Sequence, residues 1–149
     1  GIGRLVGLDV ITVPGATGYY DTNYKGKADY ALASLKAKDF VYVHVEATDE
    51  AGHNGDVKAK IEAVESFDRH VVATVLEAFK GRDDFRVLVT PDHPTPIAKR
   101  THTRAPVPFV MFGKGIEPNS ADGYNETSAG KTGLVLQSGE EMVRYFMKG

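Results

Sequence analysis

The 149-residue chain has no cysteine and no tryptophan. Without thiols there are no disulfides, no thiolate zinc site and no cysteine nucleophile, so a bound metal must be met by histidine and carboxylate. The chain also lacks an excess of either charge: 18 Lys and Arg stand against 20 Asp and Glu, a formal net charge of −2. No global basic field exists to grip nucleic acid or an anionic membrane, and an anionic ligand must be caught locally. Long apolar runs are missing too. The longest, around residues 41–45 and 107–112, fall far short of the ~20 residues a membrane helix needs, and no basic-then-apolar leader opens the chain. These absences predict a soluble, cytoplasmic protein without nucleic-acid or membrane partners. Gly1, in place of methionine, reads as the cut end of a longer chain.

What is present is a 42% hydrophobic chain of a length suited to one globular domain, residues 1–149. Residues 8–13 read as a β-branched strand followed by the turn Pro14-Gly15-Ala16-Thr17-Gly18. Tyr24, Ala28, Ala31, Leu32 and Leu35 recur at the spacing of a helix with one buried face. Residues 40–47 alternate as a strand, with Val41, Val43, Val45 and Ala47 on one side. A long helix is predicted over 57–79, its stripe made by Ile61, Val64, Val71, Val72, Val75, Leu76 and Phe79. Two further strands follow at 85–90 and 107–112, and Ser138-Gly139-Glu140-Glu141 is a capping box opening a last helix. Strands alternating with helices of this length predict an α/β fold, a mainly parallel sheet with helices on both faces. The connection 91–106 is too proline-rich for a crossover helix, so strand 107–112 is expected to run antiparallel to its predecessor and bring the loop back to the same sheet edge.

Ligands of open α/β sheets sit beyond the carboxyl ends of the strands. Thr48-Asp49-Glu50-Ala51-Gly52-His53 follows one strand, Pro91-Asp92-His93-Pro94-Thr95-Pro96 follows another, and Thr101-His102-Thr103 leads into a third. Asp and His without thiolate suit Mn²⁺, Zn²⁺, Co²⁺ or Fe²⁺. Five such ligands exceed the roughly three that one catalytic ion takes from protein, and so point to a pair of ions. Asp92 and His93 are placed to serve one ion, and Asp49, His53 and His102 the other. Any one of these residues alone is ordinarily a solvated or capping side chain; the case rests on their clustering. Lys99, Arg100 and Arg104 flank His102 and are candidates to hold a substrate phosphate or carboxylate, or else line a solvated loop. His44 reads as a packed or supporting imidazole, His70 as structural or solvent-facing, and Asp68 as a carboxylate on the apolar stripe that must be hydrogen-bonded or at its exposed shoulder. Gly113-Lys114-Gly115 is too short for a phosphate-binding loop and reads as a turn.

The run from His44 to Asp56, the segment Thr90-Pro91-Asp92-His93-Pro94-Thr95-Pro96, and Thr101-His102-Thr103 followed by Pro106-Val107-Pro108-Phe109 resemble the archaeal-type, cofactor-independent phosphoglycerate mutases of the alkaline phosphatase superfamily. Residues 13–19 and 139–145 fit the same family, so the resemblance spans essentially the whole chain. It implies an alkaline-phosphatase-like fold. It also implies that Asp49, His53 and His102 bind one divalent ion and Asp92 and His93 a second, with Mn²⁺ favoured and Zn²⁺, Co²⁺ or Mg²⁺ as alternatives. The reaction implied moves a phosphoryl group between the 3- and 2-hydroxyls of glycerate through a phosphoserine, without 2,3-bisphosphoglycerate, in glycolysis and gluconeogenesis. In that family the nucleophilic serine lies in an N-terminal segment and a cap domain grips the substrate. Ser34, Ser66, Ser120, Ser128 and Ser138 occupy no strand-to-helix turn beside a metal ligand. The chain is therefore expected to be the C-terminal portion of the catalytic domain, with the N-terminal part and cap absent, no catalytic nucleophile of its own and little activity alone. Other superfamily phosphotransferases or hydrolases, and a non-catalytic α/β binding domain with a vestigial cluster, are the alternatives.

Overall fold

The computed structural model describes residues 2–148, which divide into two compact units. One runs to Lys80 and includes Thr95–Thr101; the other takes Gly81–Pro94 and the chain from His102 onward. Gly1, read as a cut end, lies outside the described residues.

In the first unit a short helix α1 (Ile2–Leu5) precedes α2 (Tyr24–Ser34). Asn23 caps α2, its side chain accepting from the Gly26 N–H at 2.8 Å. The buried residues of α2 are Tyr24, Ala28 and Ala31, the face its periodicity predicts. Next comes α3 (Ala47–Asn54), where the sequence reads a strand end and a loop. Asp49 and Glu50 in its first turn suit the positive end of the helix dipole, and Gly55, at φ 70°, closes it in the left-handed conformation that glycine adopts without strain. Asp56 then accepts from the Ala59 N–H at 2.9 Å and starts α4 (Val57–Phe67), which passes through a π-helical turn (Asp68–Val72) into α5 (Ala73–Ala78).

The long helix thus exists where predicted, but its stripe is covered only in part. The π turn rotates the register partway along: Val71 of the predicted stripe is buried together with Ala63, which lies off it, while Ile61 and Val64 stand 55% and 52% exposed. Asp68 is exposed, as its cost on an apolar stripe requires. The core of this unit is built from small side chains: Ala28, Ala47, Ala63 and Val71 with Tyr24, against which Tyr20, Val43, Val45 and Phe67 pack.

The strands expected at 8–13 and 40–47 form no ladder among the described residues. A strand is held by a hydrogen-bonding neighbour, and neither segment has one here, so the parallel sheet does not appear. Val43 and Val45 nevertheless turn to the core as their alternation predicts.

In the second unit β1 (Arg86–Val89) pairs antiparallel with β2 (Val110–Gly113), from Arg86 opposite Gly113 to Val89 opposite Val110. The antiparallel return is as expected, but β2 starts later than predicted. Pro106 and Pro108 lack the N–H a ladder needs. Helix α6 (Glu126–Lys131), too short to show periodicity, is capped by Asn125, which accepts from the Ser128 N–H at 2.9 Å. Helix α7 (Gly139–Lys148) is capped by Ser138 as predicted, the Glu141 N–H donating to Ser138 Oγ at 3.1 Å, but the Glu141 carboxylate reaches one residue further back than a capping box requires and accepts from the Gln137 N–H at 2.6 Å. The Arg86 guanidinium donates to the Phe146 carbonyl at 2.8 Å, tying the negative end of α7 to β1. No helix among the described residues is long and apolar enough to cross a membrane.

Candidate metal centre

Helix α3 changes how Asp49 and His53 relate. Four positions apart on a helix, they share one face, and His53 Nε2 stands 3.2 Å from Asp49 Oδ2. The other ring nitrogen, Nδ1, meets the Arg100 carbonyl oxygen at 3.1 Å. A carbonyl can only accept, so Nδ1 must carry the proton and donate it. Nε2 then either donates a second proton to the carboxylate oxygen, as an imidazolium, or turns a lone pair toward it. Two electron-rich atoms in that position call for a proton or a cation between them. Metal-binding histidines are oriented in this manner, the remote N–H fixed by a carbonyl or carboxylate. The donor set, one imidazole nitrogen and one carboxylate oxygen, suits a borderline divalent ion.

Arg100 delivers that carbonyl from an unusual backbone. It is the only non-glycine residue among those described with positive φ, 52°, at the end of a tight turn in which its N–H and that of Lys99 both donate to the Pro96 carbonyl at 2.9 Å. The left-handed conformation is costly for a residue with a Cβ and tends to persist where function demands it. The side chains of Lys99 and Arg100 are exposed.

The other carboxylate oxygen of Asp49 accepts a hydrogen bond from the hydroxyl of Thr95, which is 5% exposed. Thr95 in turn offers its main-chain carbonyl to Lys60 Nζ at 2.6 Å. Burial pushes the Lys60 ammonium below its ordinary range, and the nearby Asp49 charge offsets part of that. Neither Thr95 nor Lys60 is singled out by sequence reasoning. Glu46, Asp49 and Glu50 bring one carboxylate oxygen each within 4.8 Å of one another; such crowding is ordinary where a helix dipole offsets it. His44 is exposed rather than packed, with Nε2 3.2 Å from Glu46 Oε2. At the far end of α3, the Asn54 amide donates to the Tyr20 hydroxyl at 2.8 Å, fastening the helix terminus beside His53. His70 is half-buried on the π turn.

In the second unit, Asp92 and His93 follow the carboxyl end of β1, and His102 lies on the chain that leads back to β2. The Thr103 N–H donates to the Pro94 carbonyl at 3.0 Å, drawing the two stretches together. The rings of His93 and His102 stack, with centroids 3.6 Å apart and planes at 29°. His93 Nε2 lies 3.4 Å from Asp92 Oδ2, and the His93 N–H donates to Asp92 Oδ1 at 3.1 Å. This unit therefore gathers Asp92, His93 and His102, and the first gathers Asp49 and His53. Arg104 is exposed. Gly113 ends β2, and Gly113-Lys114-Gly115 is the turn that its length suggests.

The chain belongs to the metalloenzyme superfamily, whose family model matches residues 1–147. It is 50% identical over 148 residues to the probable 2,3-bisphosphoglycerate-independent phosphoglycerate mutase of Geobacter sulfurreducens. To the 2,3-bisphosphoglycerate-independent phosphoglycerate mutase of Methanosarcina barkeri it is 49% identical over 150 residues. Both alignments take in 99% of this chain but only 37% and 38% of the relatives, so the chain spans little more than a third of the curated proteins it matches. The solved structure of the PH0037 protein from Pyrococcus horikoshii matches with a TM-score of 0.92 and 36% identity, over 98% of this chain and 44% of that one.

Proposed function

We propose that residues 1–149 are the C-terminal, metal-ligating portion of one catalytic domain, that of a cytoplasmic 2,3-bisphosphoglycerate-independent phosphoglycerate mutase. The single observation that carries this reading is the orientation of His53, with Nδ1 on the Arg100 carbonyl at 3.1 Å and Nε2 facing Asp49 Oδ2 at 3.2 Å, in a chain about half identical to named mutases. Asp49, His53 and His102 are the proposed ligands of one ion and Asp92 and His93 those of a second, with Mn²⁺ the favoured metal. The nucleophilic serine and the cap lie on the remainder of the same polypeptide. Segments 8–13 and 40–47, the latter without Ala47, which begins α3, are strands of a mainly parallel sheet completed there.

When bound, a pair of divalent ions supplies positive charge to the transferring phosphoryl group and to the oxygens on either side of it. The residues of this chain do the placing. The Arg100 carbonyl fixes the tautomer and direction of His53, and α3 holds Asp49 and His53 on one face. Lys99, Arg100 and Arg104 are proposed to offer cationic donors to the substrate phosphate and carboxylate, where an arginine pairs with two oxygens at once.

The test is interconversion of 3- and 2-phosphoglycerate by the protein that carries this chain, stripped of metal and resupplied with Mn²⁺, with 2,3-bisphosphoglycerate left out. Conversion that depends on added metal is expected. Release of inorganic phosphate without conversion would place the protein with the superfamily's hydrolases, and failure to take up metal would make it a binding domain.

A further inference from the structure

We infer that Thr95 is a positioning residue for Asp49 and that Lys60 anchors it, through a notch that Gly52 leaves open. The inference rests on the metal-centre reading above, and adds to it the device that decides which oxygen of the Asp49 carboxylate is presented.

Three observations meet at one buried point. First, Thr95 is 5% exposed, and its hydroxyl donates to Asp49 Oδ1. That bond fixes rotation about the carboxylate, so that Oδ2 is the oxygen directed at His53 Nε2, 3.2 Å away. Second, the Thr95 main chain is itself held, its carbonyl accepting from Lys60 Nζ at 2.6 Å. Lys60 reaches it from α4, a different element from the one that carries Asp49. Third, Gly52 is buried on α3, and a Cβ built there would lie 2.6 Å from the Thr95 carbonyl oxygen, 2.8 Å from Thr95 Cγ2 and 3.0 Å from Lys60 Nζ. Thr95 and Lys60 approach α3 only because position 52 has no side chain.

Supports of this kind fix a ligand's direction before an ion arrives, and their removal typically costs ~10–100-fold in metal affinity. A threonine does this well: its β-branch restricts the hydroxyl to few rotamers, and burial removes competing water. Lys60 bears on Thr95 rather than on the ion. A bare ammonium near a cation site would weaken binding by repulsion, so its two possible roles have opposite signs.

The experiment titrates Mn²⁺ into the metal-free protein that carries this chain, following free ion and the spectrum of bound ion by electron paramagnetic resonance. Thr95→Val keeps the shape and removes the hydroxyl; Thr95→Ser keeps the hydroxyl. Expected is a ~10–100-fold weaker site in Thr95→Val with an altered bound-ion spectrum, and affinity within about threefold of the parent in Thr95→Ser. Lys60→Met is expected to weaken the same site, whereas a merely repulsive lysine gives tighter binding when removed; this variant decides the question should Thr95→Val fail to fold. Parent-like affinity in a folded Thr95→Val, equal losses in Val and Ser, or tighter binding in Lys60→Met would each overturn the inference. His53→Ala separates it from the reading beneath: if His53→Ala also binds like the parent, the metal assignment fails, and if only His53→Ala weakens binding, the role of Thr95 fails alone.

Discussion

Substituting Gly52 by alanine sets two familiar effects against each other. In a helix interior alanine is favoured over glycine by roughly 0.5–1 kcal/mol, so propensity alone makes Gly52→Ala stabilising. The new methyl, however, would lie 2.6 Å from the Thr95 carbonyl oxygen and 2.8 Å from Thr95 Cγ2. The first of these is backbone, already held by Lys60, and does not swing aside as a surface side chain would. Overpacking a filled site costs about 1–3 kcal/mol. If Thr95 yields instead, Asp49 loses a hydrogen bond to a charged group, worth about 1.5–3 kcal/mol. The clash wins, and once the propensity gain is set against it the net loss is about 1 kcal/mol. For a protein of this size about 1 kcal/mol moves the melting temperature by roughly 2–4 °C, so a fall of that order is expected. Gly130 is the internal control. It lies on α6, and a Cβ there meets nothing within 4 Å, so Gly130→Ala should leave stability unchanged or raise it by up to about 1 kcal/mol. Denaturant unfolding of the two variants beside the parent, with circular dichroism as the probe, measures both signs. A Gly52→Ala protein as stable as the Gly130→Ala one would refute the close approach at Thr95.

Three further expectations follow from the same geometry. Added Mn²⁺ should raise the melting temperature of the 149-residue chain, because an ion bound only by the folded state stabilises it by RT ln(1 + [L]/Kd); thermal scans over a range of Mn²⁺ check this, and no shift at any concentration would count against the ligand set. The same chain with Mn²⁺ should show no mutase turnover above background, since none of its serines stands at a strand-to-helix turn beside a ligand and correct positioning is worth about 7–11 kcal/mol of barrier; turnover that survives repurification would contradict this. Desolvation, with Glu126 adding to it, pushes the Tyr124 phenol up to about 12. The folded state thus favours the neutral hydroxyl, whose contribution to stability is whole below about pH 10, the ordinary tyrosine value, and is lost as pH rises toward 12. An ultraviolet titration in which Tyr124→Phe removes a phenol ionising near pH 10 would show the shift to be absent.

Much of this was legible in the sequence, and the failures have local causes. The face of α2, the extent of the long helix, the cap of α7 and the antiparallel return after β1 follow from periodicity, capping chemistry and proline content. The helix at Asp49 and His53 did not, because Thr48, Asp49, Glu50 and Gly52 are residues that also populate turns; the deciding signals, acidic residues in the first turn and Gly55 at its end, are short-range and weak. The π turn at Asp68–Val72 leaves no compositional mark, so the predicted stripe holds at Val71, within the turn, and fails at Ile61 and Val64, before it. Strands at 8–13 and 40–47 are expected from their own residues, whereas a ladder also needs a neighbour. In the candidate centre the carboxylate and imidazole side chains proposed as ligands are readable one by one. What orients them was not: the Arg100 carbonyl is a backbone group in an unusual conformation, and Thr95 and Lys60 acquire their roles only through contacts distant in sequence.

The central claim, that Asp49 and His53 help to hold one ion while Asp92 and His93 hold another, is tested most directly by counting metal. The protein that carries this chain is purified in parent, His53→Ala and Asp92→Ala forms, loaded with Mn²⁺, freed of excess and analysed for bound ion, with circular dichroism to confirm that each variant is folded. Two ions per chain in the parent and one in each variant, with mutase activity lost in both, is the expected result. Two ions retained in either folded variant, or none in the parent, would contradict it.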